Sequence, residues 1–392
     1  MAFPFGGPIN EPSHEFSTDT FKQLLNPIQD ILRNITPLDS RGDRPLKLDF
    51  EHHVKALIYY HLEGFSSVRE LIQKLKEDYF ARTFIAPADG IEKSSFAEAN
   101  NNRGVEQLIE LFKELYIKAN NTIPVEYSDL GNLVAIDGSL IDAVLSMYWA
   151  DYRTNNNKAK IHLGFDINHS IPKKLYLDDG KSNERSFACQ ILEPGDTGIM
   201  DRGYQHHANF DTWQDKGKHF VCRIKKNTNK TLVSSNAIPE NSIVFYDSVV
   251  FLGSPGESQT KKPLRLVGYS IGCSDYWIAT DRYDLTSEQI AMIYKLRWDI
   301  EKFFGWWKRH MRVYHLIARS EYGLLVQILS GLITYLLFSI YCQEEHGKKV
   351  SIEIIRGLRN KIMNESRMFD KNGNLVGSEL SERPENPPLH KN

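Results

Sequence analysis

The chain has few cysteines and no sign of a secretory leader. Its 392 residues include four cysteines, which lie far apart and follow no metal-ligand spacing: Cys189, Cys222, Cys273 and Cys342. This usage favours a reducing compartment over a disulfide framework or a zinc site. No Lys or Arg precedes Lys22, so the basic region of a secretory signal peptide is missing. We therefore expect a cytoplasmic protein, and its hydrophobic content of 41% is that of an ordinary globular chain of two or three domains.

Net positive charge is also lacking, which disfavours a nucleic-acid partner at first. The formal net charge is −2, whereas proteins that bind DNA neutralise phosphates with clustered Lys and Arg. The cations are nevertheless concentrated. Residues 216–230 hold six Lys/Arg and no acid, and residues 286–320 hold seven against three acids. Local basic surfaces therefore remain compatible with DNA binding.

One apolar run, Gly323–Cys342, is long enough to span a membrane. Polar residues interrupt it at Gln327, Ser330, Thr334 and Ser339, and no paired topology follows. A helix buried against the rest of the protein is the favoured interpretation, and a membrane span is the alternative. We therefore predict no membrane partner.

The stretch Thr286–Met311 predicts a helix with two distinct faces. Thr286 followed three residues later by Gln289 is a capping-box start. Apolar residues then recur at helical spacing and form a stripe: Ile293, Leu296, Ile300, Phe303, Phe304 and Trp307. At about 100° per residue, four other side chains fall within roughly 60° of one another beside that stripe: Tyr294, Arg297, Glu301 and Lys308. Such a set is either a group of weak surface ion pairs or part of a functional site.

The spacing of these four residues resembles a known signature. Tyr-x2-Arg-x3-Glu-x6-Lys is typical of one branch of the IS-four family of bacterial insertion-sequence transposases, and EKFFGWWKRHMRV is similar to that family around its catalytic glutamate. The resemblance covers roughly residues 94–340 and includes DGS, DRGY and FVCRIKKNT. It implies a transposase that binds insertion-sequence ends, cleaves them by metal-dependent phosphodiester hydrolysis and joins the 3′-hydroxyl to target DNA.

Two aspartates stand where short strands are predicted upstream of the helix. Residues 133–136 run apolar and end at Asp137, residues 160–165 alternate, and residues 195–203 form a short strand whose last residues include Asp201. Three strands followed by alternating strand and helix are what a ribonuclease-H-like domain would show, with its first acid on strand one and its second after strand four. Lone aspartates at strand ends are more often caps or turn formers. Their DGS and DRGY contexts favour the catalytic interpretation.

The resemblance assigns roles to these residues. Asp137, Asp201 and Glu301 would be the catalytic and metal-binding acids, because carboxylate oxygens hold hard cations such as Mg²⁺. Two Mg²⁺ ions about 4 Å apart, or Mn²⁺ in their place, would activate a water or 3′-hydroxyl and stabilise the leaving oxygen. Six further residues are predicted to contact DNA: Tyr294, Arg297, Lys308, Arg202, Lys225 and Lys226. For the last two, a solvated basic turn is the alternative. Trp277 and the pair His206-His207 are given no role.

We predict an α/β protein with a ribonuclease-H-like catalytic domain, a β-rich insertion between the second Asp and the Glu helix, and an α-helical N-terminal domain. The boundaries are 1–20 for a disordered N-terminus, 21–125 for a helical DNA-binding domain, 126–224 and 286–345 for the catalytic domain, 225–285 for the insertion, and 346–392 for a C-terminal helix and polar tail. Within 21–125, two helices around Gly64 could form a helix-turn-helix or a plain antiparallel pair.

The expected partners are double-stranded DNA, as transposon ends and target, and a second copy of the chain in a dimer on paired ends. The expected location is the bacterial cytoplasm, at the nucleoid. Two other functions are kept open: a transposase-derived DNA-binding protein that no longer cuts, and a ribonuclease-H-like nuclease acting on RNA–DNA hybrids. The three acids disfavour the first, and the insertion and N-terminal helices disfavour the second.

Overall fold

The N-terminal part of the chain is helical, as the periodicity predicts. The computed structural model describes residues 19–38, 46–144, 146–153 and 156–367. The first helices are α1 (Asp19–Asn34), α2 (Phe50–Glu63), α3 (Val68–Glu77), α4 (Tyr79–Phe84), α5 (Lys93–Asn102) and α6 (Val105–Thr122). The predicted disordered ends lie outside the described residues, except that α1 already begins at Asp19.

Local capping explains where α2 and α3 begin and end. The Asp49 carboxylate accepts the His52 N–H at the start of α2, and Gly64 ends that helix with a φ of 70°, a conformation that glycine adopts without strain. Ser67 then accepts the Glu70 N–H and starts α3. The predicted turn at Gly64 is therefore present. Helix α2 packs on α11 (Glu321–His346), whereas α3 contacts α4 and α5.

The long apolar run forms α11, and it lies inside the protein. Of its most apolar 18-residue window, 94% is buried in the fold, as in the core helix of a globular protein. Its polar residues have partners there: Gln327 donates to the His315 carbonyl and accepts the Ile317 N–H, and the Ser330 hydroxyl lies 2.9 Å from His61 Nε2. Helices α2, α5 and α6 pack around it. The predicted buried helix is confirmed.

A mixed sheet forms the rest of the fold. Its strands are β1 (Asn132–Ala143), β2 (Asp151–Arg153), β3 (Asn156–Asp166), β4 (Ile171–Asp179), β5 (Asp196–Met200), β6 (His219–Arg223), β7 (Lys230–Ser235), β8 (Val244–Leu252), β9 (Leu264–Ile271) and β10 (Ser274–Thr280). The order is β2-β3-β1-β5-β6-β10-β9-β8-β7, with β4 paired to β3. Strands β1, β5 and β6 are parallel to one another, and the other pairings are antiparallel.

The remaining helices cover this sheet or close the chain: α7 (Glu184–Ile191), α8 (His207–Asp215), α9 (Ser287–Leu296), α10 (Trp298–His310) and α12 (Ile352–Arg367). Helices α7 and α8 pack in the apolar core on one face of β1, around Val134 and Ile136. Helices α9 and α10 contribute to the larger core, which they share with α11 and the N-terminal helices. The α/β class is therefore confirmed.

One local expectation differs from the structure, and two further features of the sheet were not predicted. Strand β1 does not end at Asp137 but continues to Ala143, because its second half pairs with the start of β3. Strand β7, which the sequence did not reveal, is an edge strand with exposed side chains, so it lacks an alternating apolar pattern. The segment between the second aspartate and the glutamate helix continues the sheet, since β10 pairs with β6.

The predicted single helix from Thr286 is two helices that meet at Arg297. The capping box at Thr286 and Gln289 is present. At the junction, the Arg297 N–H donates to the Tyr294 carbonyl, three residues back, and Ile300 does the same to Arg297. These tighter bonds break the regular i to i−4 pattern and separate α9 from α10. The junction falls on a residue of the predicted functional strip.

Candidate active site

The two predicted aspartates come from neighbouring parallel strands. The β1–β5 register pairs Ala135 with Ile199, and two more residues along each strand lead to Asp137 and Asp201. Neighbouring strands lie about 4.8 Å apart, so Asp137, within β1, and Asp201, directly after β5, lie side by side on adjacent strands. Each side chain accepts a backbone N–H at 2.8 Å: Asp137 from Gly138, and Asp201 from Gly203.

Asp137 sits in an environment that disfavours its charge. Burial is the main cause that raises the pKa of its carboxyl to about 6, and the neighbouring Asp201 and Glu184 carboxylates raise it further. The Gly138 N–H and the Arg297 guanidinium act in the opposite direction. A carboxylate held in this way gains more from a nearby cation than an exposed one does, because its own charge is poorly solvated.

Glu301 is paired with Arg297, one helical turn before it. The Arg297 Nη2 lies 2.6 Å from Glu301 Oε1, and the guanidinium also acts electrostatically on Asp137. Arg297 is 9% exposed, and its Nε has no hydrogen-bond partner in the described part of the chain. Arg297 therefore forms an ion pair with the helix glutamate and acts electrostatically on the strand aspartate.

The other two members of the strip are also largely covered. Tyr294 is 4% exposed, with its ring 5.9 Å from the Arg297 guanidinium carbon. The Lys308 ammonium donates to the Leu140 carbonyl at 2.6 Å, which places it against β1 beyond Asp137. The structure thus brings Arg297, Glu301 and Lys308 to the side of β1 that carries Asp137.

Glu184 is a fourth carboxylate at this site that sequence patterns did not single out. It opens α7, forms an ion pair with Lys160 at 2.5 Å, and acts on the pKa of Asp137. A Cβ on Gly138 would lie 2.8 Å from Glu184 Oε1, so a side chain at this position would displace the Glu184 carboxylate. The DGS motif drew attention to Gly138, but it gave no indication that Glu184 would lie beside that glycine.

The Tyr204 hydroxyl points into the same group of acids. It is fully buried and lacks a hydrogen-bond partner among the described residues. Burial raises its pKa strongly, and the charges of Glu184, Asp137 and Asp201 raise it further. A buried hydroxyl without a partner is rare and costly, so it lowers the stability of the fold at this position.

The donor set suits a divalent cation by its chemistry, although its geometry here is not that of a finished metal site. Carboxylate oxygens are what Mg²⁺ and Mn²⁺ prefer. Among the described residues, no group of three His, Cys, Asp or Glu is arranged to hold a metal ion. Glu301 is held by Arg297 instead. The acids present therefore fit a cation as ligands, provided that Glu301 leaves its arginine.

The other predicted DNA contacts lie on the surface. Arg202, Lys225 and Lys226 are exposed, and the Lys226 ammonium forms an ion pair with Asp275 at 3.1 Å. Of the residues given no role, Trp277 is half-buried, with the Lys230 ammonium 4.2 Å from its ring centre. The His207 ring is bonded to the Ser258 carbonyl.

An α/β sheet that carries two aspartates on neighbouring parallel strands, beside a helix with glutamate and arginine, points to the class of transposases. The model of the family "Transposase DDE domain" matches residues 129–337, which is more than half of the 392 residues. The chain therefore belongs to that family. Its members generally depend on a divalent metal.

Several curated proteins are similar to this chain. The putative transposase y4zB of Sinorhizobium fredii is 27% identical over 49% of this chain and 56% of its own length. The probable transposase for insertion sequence element IS5377 of Geobacillus stearothermophilus is 25% identical over 54% of this chain and 57% of its own length. The putative transposase for insertion sequence element IS4SA of a Synechocystis species is 21% identical over 69% of this chain and 77% of its own length. The matched region thus spans little more than half of the first two relatives.

One solved structure is also similar, that of the piggyBac transposase synaptic complex with hairpin DNA. The two chains are 13% identical with a TM-score of 0.40, over 89% of this chain and 80% of the other.

Proposed function

We propose that this protein is a DNA transposase that binds insertion-sequence ends, cleaves them by metal-dependent phosphodiester hydrolysis and transfers the 3′-hydroxyl ends to target DNA. The observation that carries the proposal is the register of β1 and β5, which leads to Asp137 and Asp201 on adjacent strands, together with Glu301 one turn from an arginine that acts on Asp137. Family membership supports the same function.

In this proposal the catalytic core is ribonuclease-H-like. The order β4-β3-β1-β5-β6, with antiparallel pairs first and parallel pairs after β1, is what such a domain would have. Residues 126–224 and 286–345 would form it, 225–285 its insertion, 21–125 a DNA-binding region, and 346–392 a C-terminal helix and tail. The exposed side of α3 carries Arg69 and Lys74, of which Lys74 is paired with Asp78 at 3.1 Å, and it would contact DNA.

Asp137, Asp201 and Glu301 would hold one or two Mg²⁺ or Mn²⁺ ions, whose role would be to polarise the attacking and leaving oxygens of the phosphodiester. The protein's own part begins with Arg297. In the free protein it neutralises Glu301, and an approaching phosphate would compete for the same guanidinium, because both anions accept its fork. Substrate binding would then release Glu301 towards the two aspartates. Lys308, Arg202, Lys225 and Lys226 would hold neighbouring phosphates.

Two copies of the chain would act together in the bacterial cytoplasm, at the nucleoid, because joining two transposon ends requires both to be held at once. The test uses a duplex that carries the terminal repeat flanking this reading frame, with Mg²⁺ and a supercoiled target. Nicking at the repeat boundary and joined products are expected. Binding without nicking would indicate a protein that no longer cuts, and cleavage confined to RNA–DNA hybrids would indicate a nuclease.

A further inference from the structure

A group of four arginines, here called the arginine cluster, lies where α10 ends and α12 passes it: Arg309, Arg312, Arg356 and Arg359. Arg359 fixes the arrangement, because its Nη2 donates to the backbone carbonyls of His310 and His61 at 3.4 and 3.3 Å. Arg312 is in the left-handed region with a φ of 54°, in the turn that follows α10. The two helices are thus joined at a point where both present cations.

The cluster is poorly compensated by acids. His310 is surrounded by all four arginines, and after burial they are what lowers its pKa. Within the described part of the chain, none of the four forms an ion pair with a carboxylate. The acids that act on the cluster are Glu63, near Arg359, and Glu70, near Arg312. Arg309 and Arg356 are exposed. Like charges held together in this way favour binding of an anion.

The surface beside the cluster is concave and leads back to the candidate active site. A cavity of about 370 Å³ is lined by Gly305, Lys308, Arg309, Arg312, Tyr314 and His315. Tyr314 is 54% exposed, with the Lys308 ammonium 5.8 Å from its ring centre. Lys308 itself is bonded to β1 near Asp137. Cations therefore continue along α10 from the acids to the end of the helix.

The spacing fits a duplex. From Glu301 to Arg309 there are eight residues, which at 1.5 Å per residue is about 12 Å along the helix. Each nucleotide advances about 3.4 Å along one strand of B-DNA, so this distance corresponds to roughly three or four nucleotides. Guanidinium groups suit phosphate oxygens because their planar forks bind two of them at once.

We propose that the arginine cluster binds the phosphate backbone of duplex DNA about three or four base pairs from the bond that is cut. This rests on the proposed transposase function and adds a second contact surface to it. The duplex is either the flank of the transposon end or the target, since both present the same phosphates.

The test is the salt dependence of DNA binding in Ca²⁺ by the double variant Arg309→Gln/Arg356→Gln. These two side chains are chosen because they are exposed and not bonded to the backbone. The matched control is Lys261→Gln/Lys348→Gln, which removes two exposed cations that lie outside the proposed DNA-binding region and form no ion pair within the described part of the chain. A second variant, Arg309→Lys/Arg356→Lys, keeps the charge and shows whether any change comes from charge or from altered folding.

Two DNA substrates, tested in separate arms of the experiment, distinguish the flank of the transposon end from the target. One is an end duplex with flank on both sides of the boundary, and the other is target duplex offered to a preformed end complex. In one arm the double variant should lower the slope of log affinity against log salt by about two, and weaken binding on the order of tenfold to a hundredfold at low salt. The lysine variant and the control should keep the wild-type slope in both arms.

An unchanged salt slope of the double variant in both arms would overturn the proposal. The cluster would then be a binding surface for an acidic protein partner. A slope that falls equally in the lysine variant would also overturn it, because charge would not be the cause. The slope is measured without cleavage. If the wild-type protein never nicks DNA while the slope still falls, the transposase function fails and the phosphate site stands.

Discussion

Replacing Asp137 by Asn should make the metal-free protein more stable at neutral pH. The wild-type carboxyl has a pKa of about 6 in the fold against an ordinary value of 3.8. At about 1.4 kcal/mol for each tenfold change in proton binding, keeping Asp137 ionised at pH 7 costs about 3 kcal/mol of unfolding free energy. Asn keeps an acceptor for the Gly138 N–H and carries no charge. A gain of about 2–3 kcal/mol, or roughly 3 °C in Tm for a chain of this size, is expected.

The pH dependence has a definite sign. Because the folded pKa is raised, the folded state binds more protons than the unfolded state between about pH 4 and 6, so wild-type stability is recovered as the pH falls through 6. By pH 5 about half of the advantage of Asp137→Asn should have disappeared. The assay is urea denaturation in EDTA at pH 7 and pH 5.

The matched control is Asp142→Asn on the same strand, where the carboxylate is 73% exposed and paired with Lys158. Its effect should stay within about 0.5 kcal/mol at both pH values. If Asp137→Asn were folded but no more stable than the wild type at pH 7, or if its advantage persisted unchanged at pH 5, the Asp137 carboxylate would not be poorly solvated.

Three further outcomes are expected. Tyr204→Phe should stabilise the metal-free protein by about 1 kcal/mol in thermal unfolding, because it removes a buried hydroxyl without a partner; a loss of more than 1 kcal/mol would show that the hydroxyl has one. Gly164→Ala should destabilise by about 1–3 kcal/mol, because its Cβ would overlap Ile191 Cγ2 on α7; unchanged urea denaturation would contradict that contact. Arg297→Ala should weaken end binding or nicking tenfold to a hundredfold in gel-shift and nicking assays, while Mn²⁺ affinity by spin resonance stays equal or rises because Glu301 is freed from its ion pair; lost Mn²⁺ binding with unchanged end binding would make Arg297 purely a partner of Glu301.

Much of the site could be predicted from local spacing. Arg297 and Glu301 are four residues apart, so helical geometry alone brings them together, and this holds even though the helix breaks at Arg297. The capping pattern at Thr286 marked where that segment begins. Asp137 and Asp201 follow short apolar runs, and the strand pairing that aligns them needed only the usual parallel connection.

Glu184 could not be found in this way. Its approach to Asp137 depends on how α7 packs over β1 and β3, and on the absence of a side chain at Gly138. Nothing in the residues around Glu184 encodes that distance. Strand β7 was missed for a different reason: an edge strand without a buried face needs no apolar alternation, so the pattern that reveals strands is absent.

The most direct test of the account is nicking of a terminal-repeat duplex by Asp137→Ala, Asp201→Ala and Glu301→Ala, measured beside end binding in Ca²⁺. Each variant should lose nicking in Mg²⁺ and in Mn²⁺ while it binds the end within several-fold of the wild type. Near-normal nicking by any one of the three would contradict the assignment of that residue to the catalytic site.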